Sequence, residues 1–349
     1  MESEDLKSLA ARYFGPNQMR LETVEVNEPR ERELVVRVRR TGVCATDMRI
    51  FQVGSSSVKP PVTLGHEVSG DIASVGDQVT EFKPGDRVCV APDLYCGECV
   101  PCRSGAENLC EKTVTLGYNL DGGYSEYLKV PHEFLDKRMV YKLPDQMTYD
   151  EGALVEPLSC CYHGLNRAHV SSEAKVLVVG DGPIGMMHLL LAKLFGSRVG
   201  MSGLIDRNLK LAGNLGADFT VNATTDPKQK ILAETGGRGA DAVIVAVSSP
   251  AVVEQAMSFV SKRGVLIIFG GCPPGSKTTL DPNQIHYGEV TVTGSANYTY
   301  ADYGKCFNIV QEHRVQLEDI ITARYPLQQI DSAFQAEARG ETVKTMIVQ

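Results

Sequence analysis

The sequence predicts an α/β chain of two domains, a β-rich one first and a doubly wound parallel sheet after it. Three observations carry that expectation. At 349 residues the chain exceeds what one hydrophobic core usually supports. Up to about Pro144 it consists of short β-type runs broken by Gly and Pro. From about Ser159 to Gly294, near-continuous apolar strands alternate with helical segments, the pattern of a parallel sheet covered on both faces. The expected segments are 1–157, 158–297 and 298–349. The last is too short to stand alone and is expected to pack back onto the first.

In order along the chain, Glu33-Leu-Val-Val-Arg-Val-Arg39 mixes β-branched residues with charge and predicts a strand. Asp86-Arg-Val-Cys-Val90 predicts another, after the turn Lys83-Pro-Gly85. Past Pro144 the character changes. A strand is expected at Lys175–Val179, a helix from Pro183 to Phe195, a strand near Arg198–Ile205 and a helix from Asp206 to Leu215. Strands at Asp241–Val247, Val265–Phe269 and Glu289–Thr293 follow, with a helix from Pro250 to Lys262 among them. Beyond Asn297 a helix and a terminal strand, Val343–Val348, remain.

Composition excludes several function classes. The apolar fraction of 43% and charged fraction of 22% are those of an ordinary globular protein. A net charge of −8 with no basic cluster argues against nucleic acid as a partner. The acidic start, Met1-Glu-Ser-Glu-Asp-Leu6, lacks the apolar stretch of a secretory signal. The longest apolar run, Ile184 to Phe195, is broken by His188 and Lys193 and is too short for a membrane span. Ten cysteines in a chain of this length are expected to be metal ligands and free thiols. A cytoplasmic protein with a small-molecule partner is the expectation.

Four of those cysteines, Cys96, Cys99, Cys102 and Cys110, have the spacing C-x2-C-x2-C-x7-C. Four thiolates so close can surround one tetrahedral ion at Zn–S distances of about 2.3 Å. Short Cys-x-x-Cys runs also serve iron–sulfur clusters. The tight knuckle of Gly97, Glu98, Val100 and Pro101, and a second candidate metal site elsewhere, favour zinc. Such a closed site, on a lobe of about residues 93–112, is expected to stabilise structure and do no chemistry.

Gly180-Asp-Gly-Pro-Ile-Gly185 has the form G-x-G-x-x-G, directly after an apolar strand and before a helix. The first glycine permits the turn, the second lets backbone approach a pyrophosphate, and the third allows close helix–strand packing. The candidate dinucleotide contacts begin here with Gly180, Gly182, Pro183, Ile184 and Gly185. Ser202, Gly203 and Arg207 follow at the end of the next strand, and Val247, Ser248, Gly270 and Asn297 lie further on. An acid that holds the adenosine ribose usually ends that next strand. Counting back from the Gly216-Ala-Asp218 turn puts its position at Gly203. Losing the carboxylate leaves room for a 2′-phosphate, with Arg207 or Ser202 to contact it, which makes NADP the expected cofactor. NAD remains open through Asp206.

Cys44, His66, Glu67 and Glu156 offer thiolate, imidazole and carboxylate, the mixture of an open catalytic zinc site. They occur with a series of further motifs: Gly42-Val-Cys44-Ala-Thr46-Asp47, Gly65-His-Glu67-Val-Ser-Gly70, Val75-Gly76, Lys83-Pro-Gly-Asp-Arg-Val88, Gly122-Gly-Tyr-Ser-Glu-Tyr127 and Val155-Glu-Pro-Leu158. Together with the cysteine lobe and the glycine fingerprint, this series resembles the zinc-dependent medium-chain dehydrogenase/reductase superfamily. The resemblance runs from about residue 15 to the C-terminus, in the family's order. Val155-Glu-Pro-Leu-Ser159 resembles its polyol (sorbitol) dehydrogenase branch.

The resemblance implies a GroES-like catalytic domain completed by the last fifty or so residues, with a Rossmann domain between. It implies two zinc ions per chain, NADP or NAD, and a homo-oligomer, tetramer or dimer. The catalytic zinc would be held by Cys44, His66 and a carboxylate, Glu67 or Glu156, and would polarise a substrate hydroxyl. Thr46 would hydrogen-bond that hydroxyl, and Asp47 would orient the histidine. The implied reaction is hydride transfer between NAD(P) and a secondary alcohol of a polyol, sugar, cyclitol or amino-polyol. Two departures stand out. Arg49 occupies the place of a relay histidine, and Gly294-Ser-Ala-Asn297-Tyr298 replaces an Arg-Tyr pair of sorbitol-type enzymes. Asn297, Tyr298 and Tyr118 are candidates to bond substrate hydroxyls. The competing readings are a threonine or sugar-phosphate dehydrogenase, the latter with only Arg49 and Lys305 as phosphate contacts, and a non-catalytic zinc- and cofactor-binding protein.

Overall fold

The computed structural model describes residues 6–349, so the acidic start Met1–Asp5 lies outside the described residues. The chain divides into two compact units. The first comprises the chain up to Glu156 with Phe307–Glu312 and Ile321–Gln349; the second is Pro157–Cys306 with His313–Ile320.

At the centre of the first unit is a seven-stranded sheet. Its order is Val140–Lys142, Arg87–Val90, Glu67–Val75, Leu34–Gly42, Lys344–Val348 and Ile321–Pro326, with Tyr127–Val130 also paired to Leu34–Gly42. The last strand of the chain therefore lies against one of the first, antiparallel, with Met346 opposite Gly42. On its other side Leu34–Gly42 meets Glu67–Val75, and this register sets Gly42 opposite Glu67. Tyr13, Leu64 and Tyr124 share one core with Phe334 and Ile347 from the tail. Each such side chain contributes about 1.5–3 kcal/mol on burial, so this part of the tail belongs to the first unit's stability.

In the second unit six strands run parallel in the order Phe219–Asn222, Arg198–Gly203, Lys175–Val179, Ala240–Val245, Val260–Ile268, Thr291–Gly294. The chain starts at Lys175–Val179, steps outward twice to one side, and returns to step outward three times on the other. This is the Rossmann order. Leu177, Val243, Val245 and Leu266 of the sheet are buried with Ile231, Val253 and Met257 of its helices.

Two expectations are corrected. The helix begun at Pro250 ends at Met257, and Val260–Ile268 is one long strand rather than a helix end followed by a short strand. Val260 pairs with Ala240, and the register then shifts before Ala242 pairs with Val265. Arg263, at φ 61°, sits in that irregularity, so a polar Ser-Lys-Arg-Gly insert interrupts the strand and conceals its first residues. The second unit also extends past residue 297 to Cys306. His163 Nδ1 lies 2.8 Å from Asp302 Oδ2, which ties the helix Tyr300–Gln311 to the helix Val155–Arg167. Among the described residues no helix is long and apolar enough to cross a membrane.

Candidate active site and metal centres

The helix Ala45–Val53 opens on Cys44, whose Sγ accepts the Thr46 N–H at 3.5 Å in place of an ordinary capping oxygen. His66 and Glu67 enter from the start of the strand Glu67–Val75. One ligand atom each from Cys44, His66 and Glu67 lies within 4.8 Å of the other two. Ligands on one tetrahedral zinc stand about 3.3–3.8 Å apart, by bond lengths of about 2.0–2.3 Å, so the trio fits zinc with slight closure. His66 Nδ1 is 3.1 Å from Asp47 Oδ1, and Asp47 Oδ2 accepts the Tyr124 hydroxyl at 2.8 Å. Because the carboxylate only accepts, Nδ1 carries the hydrogen and Nε2 is left for a metal. Burial opposes a charge on His66, but Asp47, with Tyr118 and Cys44, outweighs it and holds the imidazole well above its ordinary value. The Tyr118 ring stands edge-on to the imidazole at 5.5 Å, and burial pushes its hydroxyl up.

Glu67 lies over Gly42 because that cross-strand neighbour has no side chain. A Cβ there would fall 1.7 Å from Glu67 Oε2. Lys344, from the last strand, donates to Glu67 Oε1 and to the Val43 carbonyl, each at 2.8 Å. Its Nζ is also 2.6 Å from Oε2 but off the hydrogen-bond direction, and Oε2 has no hydrogen-bond donor. Both side chains are almost fully enclosed, at 2% and 1% exposure. Burial disfavours the lysine charge, yet Glu67, Cys44 and Glu337 hold its value above the ordinary one. Glu156, also buried, sits in the first turn of Val155–Arg167 and is not one of the three grouped residues. Thr46 is half-buried two residues after Cys44, whereas Arg49 is exposed.

The second group is Cys96, Cys99, Cys102 and Cys110, again with their ligand atoms within 4.8 Å. Cys96 Sγ and Cys102 Sγ are 3.9 Å apart, close to the edge of about 3.8 Å that Zn–S bonds of about 2.3 Å require. Backbone amides converge on the sulfurs: Glu98 and Cys99 donate to Cys96, and Cys96 and Lys112 donate to Cys110. The Glu98 and Cys99 amides pull the Cys96 thiol down to about 6, while burial pushes Cys102 up. Amide donors of this kind stabilise thiolate, and no disulfide forms among the ten cysteines.

In the second unit the strand Lys175–Val179 runs into Gly180, at φ 127°, whose N–H donates to the Ser202 carbonyl at 2.8 Å. Gly182 caps the helix Pro183–Leu194, with Pro183 at its first position. A Cβ on Gly182 would meet nothing within 4 Å, whereas one on Gly185 would lie 2.0 Å from the Gly180 carbonyl. The loop thus turns an open backbone face outward and packs its helix tightly behind, as a pyrophosphate cradle requires. Val247 packs on Gly180, and Gly270 on Val247, where neighbouring strands end. Ser248 is exposed beside them. Asn297 Oδ1 accepts the Tyr298 N–H at 2.9 Å. Tyr298, expected to bond substrate hydroxyls, is fully buried against Tyr303, and that expectation is withdrawn.

Two residues escaped the sequence reading. Lys344 had a signal, a lone lysine inside the apolar terminal strand Lys344–Val348. Asp181 stood inside the glycine fingerprint, where its own side chain was not weighed.

A donor set able to polarise an alcohol oxygen, on a chain that also presents a dinucleotide cradle, defines an NAD(P)-linked oxidoreductase as a class. Comparison with known proteins narrows it. The alcohol dehydrogenase GroES-like domain matches residues 30–145, and the zinc-binding dehydrogenase domain matches residues 183–312. D-arabitol-phosphate dehydrogenase of Enterococcus avium is 30% identical over 99% of this chain and 98% of its own length. Sorbitol dehydrogenase of Bacillus subtilis is 30% identical over 97% and 96%. A solved structure from Sinorhizobium meliloti, described as a zinc-binding dehydrogenase bound to NADP, superposes with a TM-score of 0.92 at 28% identity, over 99% of this chain and 100% of that one. The chain belongs to the zinc-dependent alcohol dehydrogenase family, and it is an NAD(P)-dependent enzyme.

Proposed function

We propose that the chain transfers a hydride between NAD(P) and a secondary alcohol of a polyol, sugar, cyclitol or amino-polyol, interconverting alcohol and ketone or aldehyde. The observation that carries this reading is the grouping of Cys44, His66 and Glu67, with Thr46 two residues from the sulfur. Zinc held there by Cys44, His66 and Glu67 would supply Lewis-acid polarisation of the alcohol oxygen, and a bound dinucleotide would supply the hydride acceptor. Cys44 offers its thiolate and His66 its Nε2, with the imidazole fixed through Asp47 by the Tyr124 hydroxyl. Glu67 is preferred to Glu156 as the carboxylate because it belongs to the group. Thr46 holds the substrate hydroxyl and passes on its proton. The Arg49 guanidinium offers only donors and no acceptor, so that proton leaves without it.

Cys96, Cys99, Cys102 and Cys110 hold a second, structural zinc in this reading. A cytoplasmic location is part of the same reading, supported by ten cysteines whose use as metal ligands and thiols suits a chain of this length. A homodimer or homotetramer is part of the same reading, supported by Val100 and Leu109, which leave large apolar side chains exposed on the cysteine lobe. A phosphorylated substrate is the second reading, favoured by the D-arabitol-phosphate relative and by Arg49, exposed on the helix that begins at Cys44.

One plate of polyols, cyclitols, simple secondary alcohols and sugar phosphates tests this, each with NAD and NADP, read at the nicotinamide absorbance. Turnover of an unphosphorylated polyol or cyclitol is expected. Turnover confined to phosphates selects the second reading, and none at all from zinc-replete protein overturns both.

A further inference from the structure

The strand Arg198–Gly203 ends without the acid that usually holds an adenosine ribose, yet the position is not vacant. A Cβ on Gly203 would fall 2.4 Å from Asp181 Cγ and 2.5 Å from its Oδ2. The carboxylate of the glycine loop thus lies where a strand-end side chain would begin. It is fixed there: Oδ2 accepts the N–H groups of Leu204 at 3.0 Å and Ile205 at 2.8 Å. The buried Asn208 holds the same residue from behind, donating its Nδ2 to the Asp181 carbonyl at 3.1 Å. Among the described residues Oδ1 accepts no hydrogen bond, which leaves it an acceptor for a ligand hydroxyl. The next residue, Gly182, presents the open face of the cradle. The two alternatives are occupied elsewhere. Asp206 accepts from Asn222 Nδ2 at 2.6 Å, and Arg207, expected to meet a 2′-phosphate, donates its Nε to Asn208 Oδ1 at 3.3 Å.

We propose that Asp181 selects the dinucleotide: its carboxylate replaces the acid missing at Gly203, accepts from the adenosine ribose hydroxyls and excludes a 2′-phosphate, so that the chain prefers NAD. This reverses the expectation of NADP, which rested on free space beside Gly203. A phosphate brings a charge of about −1.5 to −2 at neutral pH to a position already holding a negative group. The inference rests on dinucleotide binding alone and not on the polyol assignment.

The test is direct binding of NADH and NADPH to the zinc-loaded full chain without substrate, followed by nucleotide fluorescence. The wild type is expected to bind NADH at least about tenfold more tightly than NADPH. Asp181→Asn keeps an oxygen for the two amides and removes the charge, so the preference is expected to fall about tenfold or more. The double variant Asp181→Gly/Gly203→Asp returns the carboxylate to the strand end and is expected to restore NADH preference. Gly203→Asp alone meets Asp181 and is expected to weaken both nucleotides. Equal or tighter NADPH binding by the wild type overturns the proposal, as does an unchanged ratio in Asp181→Asn. Should Asp181→Asn not fold, Asp181→Ser decides, since it also removes the charge: an NADH preference lowered about tenfold supports the assignment and an unchanged ratio rejects it. These constants remain readable even if every alcohol on the plate fails, so the two claims fail separately.

Discussion

At the scale of single residues, the decisive contact is the ammonium that the last strand brings to the carboxylate of Glu67, a proposed metal ligand. Lys344 and Glu67 are both sealed from water and pair directly with each other. Removing one partner leaves an uncompensated buried charge, so Lys344→Met is expected to cost about 3–5 kcal/mol. Denaturant unfolding of the zinc-free protein measures this, and a loss below about 1 kcal/mol contradicts the pairing. Asp47 stands one step behind the proposed ligands, through the hydrogen bond to His66 Nδ1. Asp47→Asn is expected to weaken zinc about 10–100-fold in chelator competition; unchanged affinity removes that role. Cys44, His66 and Glu67 were legible because each lies in a short contiguous motif. Lys344 was not, since its partner is 277 residues away and only the sheet register brings them together. Asp181 was missed for a different reason. The ribose rule looks along the strand to its end, while this carboxylate arrives sideways from the glycine loop.

At the scale of elements, the cysteine lobe and the glycine loop are modules whose chemistry is local, and both were legible for that reason. Four sulfurs within one short segment need no distant partner, and the fingerprint carries its own turn, helix cap and packing glycine. Cys102→Ser is therefore expected to lose one zinc equivalent and to raise protease cleavage within residues 93–112. Its NADH affinity should stay unchanged, because the cradle is built wholly from the second unit. Elemental analysis, timed proteolysis and nucleotide fluorescence on one preparation check all three. Retention of both zinc equivalents contradicts the four-thiolate site. One misread element was Val260–Ile268, where a polar interruption with Arg263 at positive φ breaks the apolar run that identifies strands. Periodicity finds uninterrupted elements and loses those that pass through an irregularity.

At the scale of the whole molecule, the parallel sheet followed from alternating apolar strands and helices, which allow few topologies, while its four-residue edge strand Phe219–Asn222 was too short to be read in the sequence. The assignment of the tail was less legible. Phe307–Glu312 and Ile321–Gln349 belong to the first unit, while His313–Ile320 belongs to the second. No compositional break marks those changes, because Val310, Val315 and Ile321 are buried apolar residues of one kind. The functional claim for the molecule is that chemistry resides at the Cys44 site and that the cysteine lobe only supports structure. The most direct measurement is polyol oxidation by wild type and Cys44→Ser, each zinc-loaded, followed at the nicotinamide absorbance with the zinc content of both determined. Loss of several kcal/mol of Lewis-acid stabilisation predicts a fall in rate of about a thousandfold or more, one zinc equivalent lost and NADH affinity kept. A Cys44→Ser enzyme that retains wild-type turnover contradicts the account.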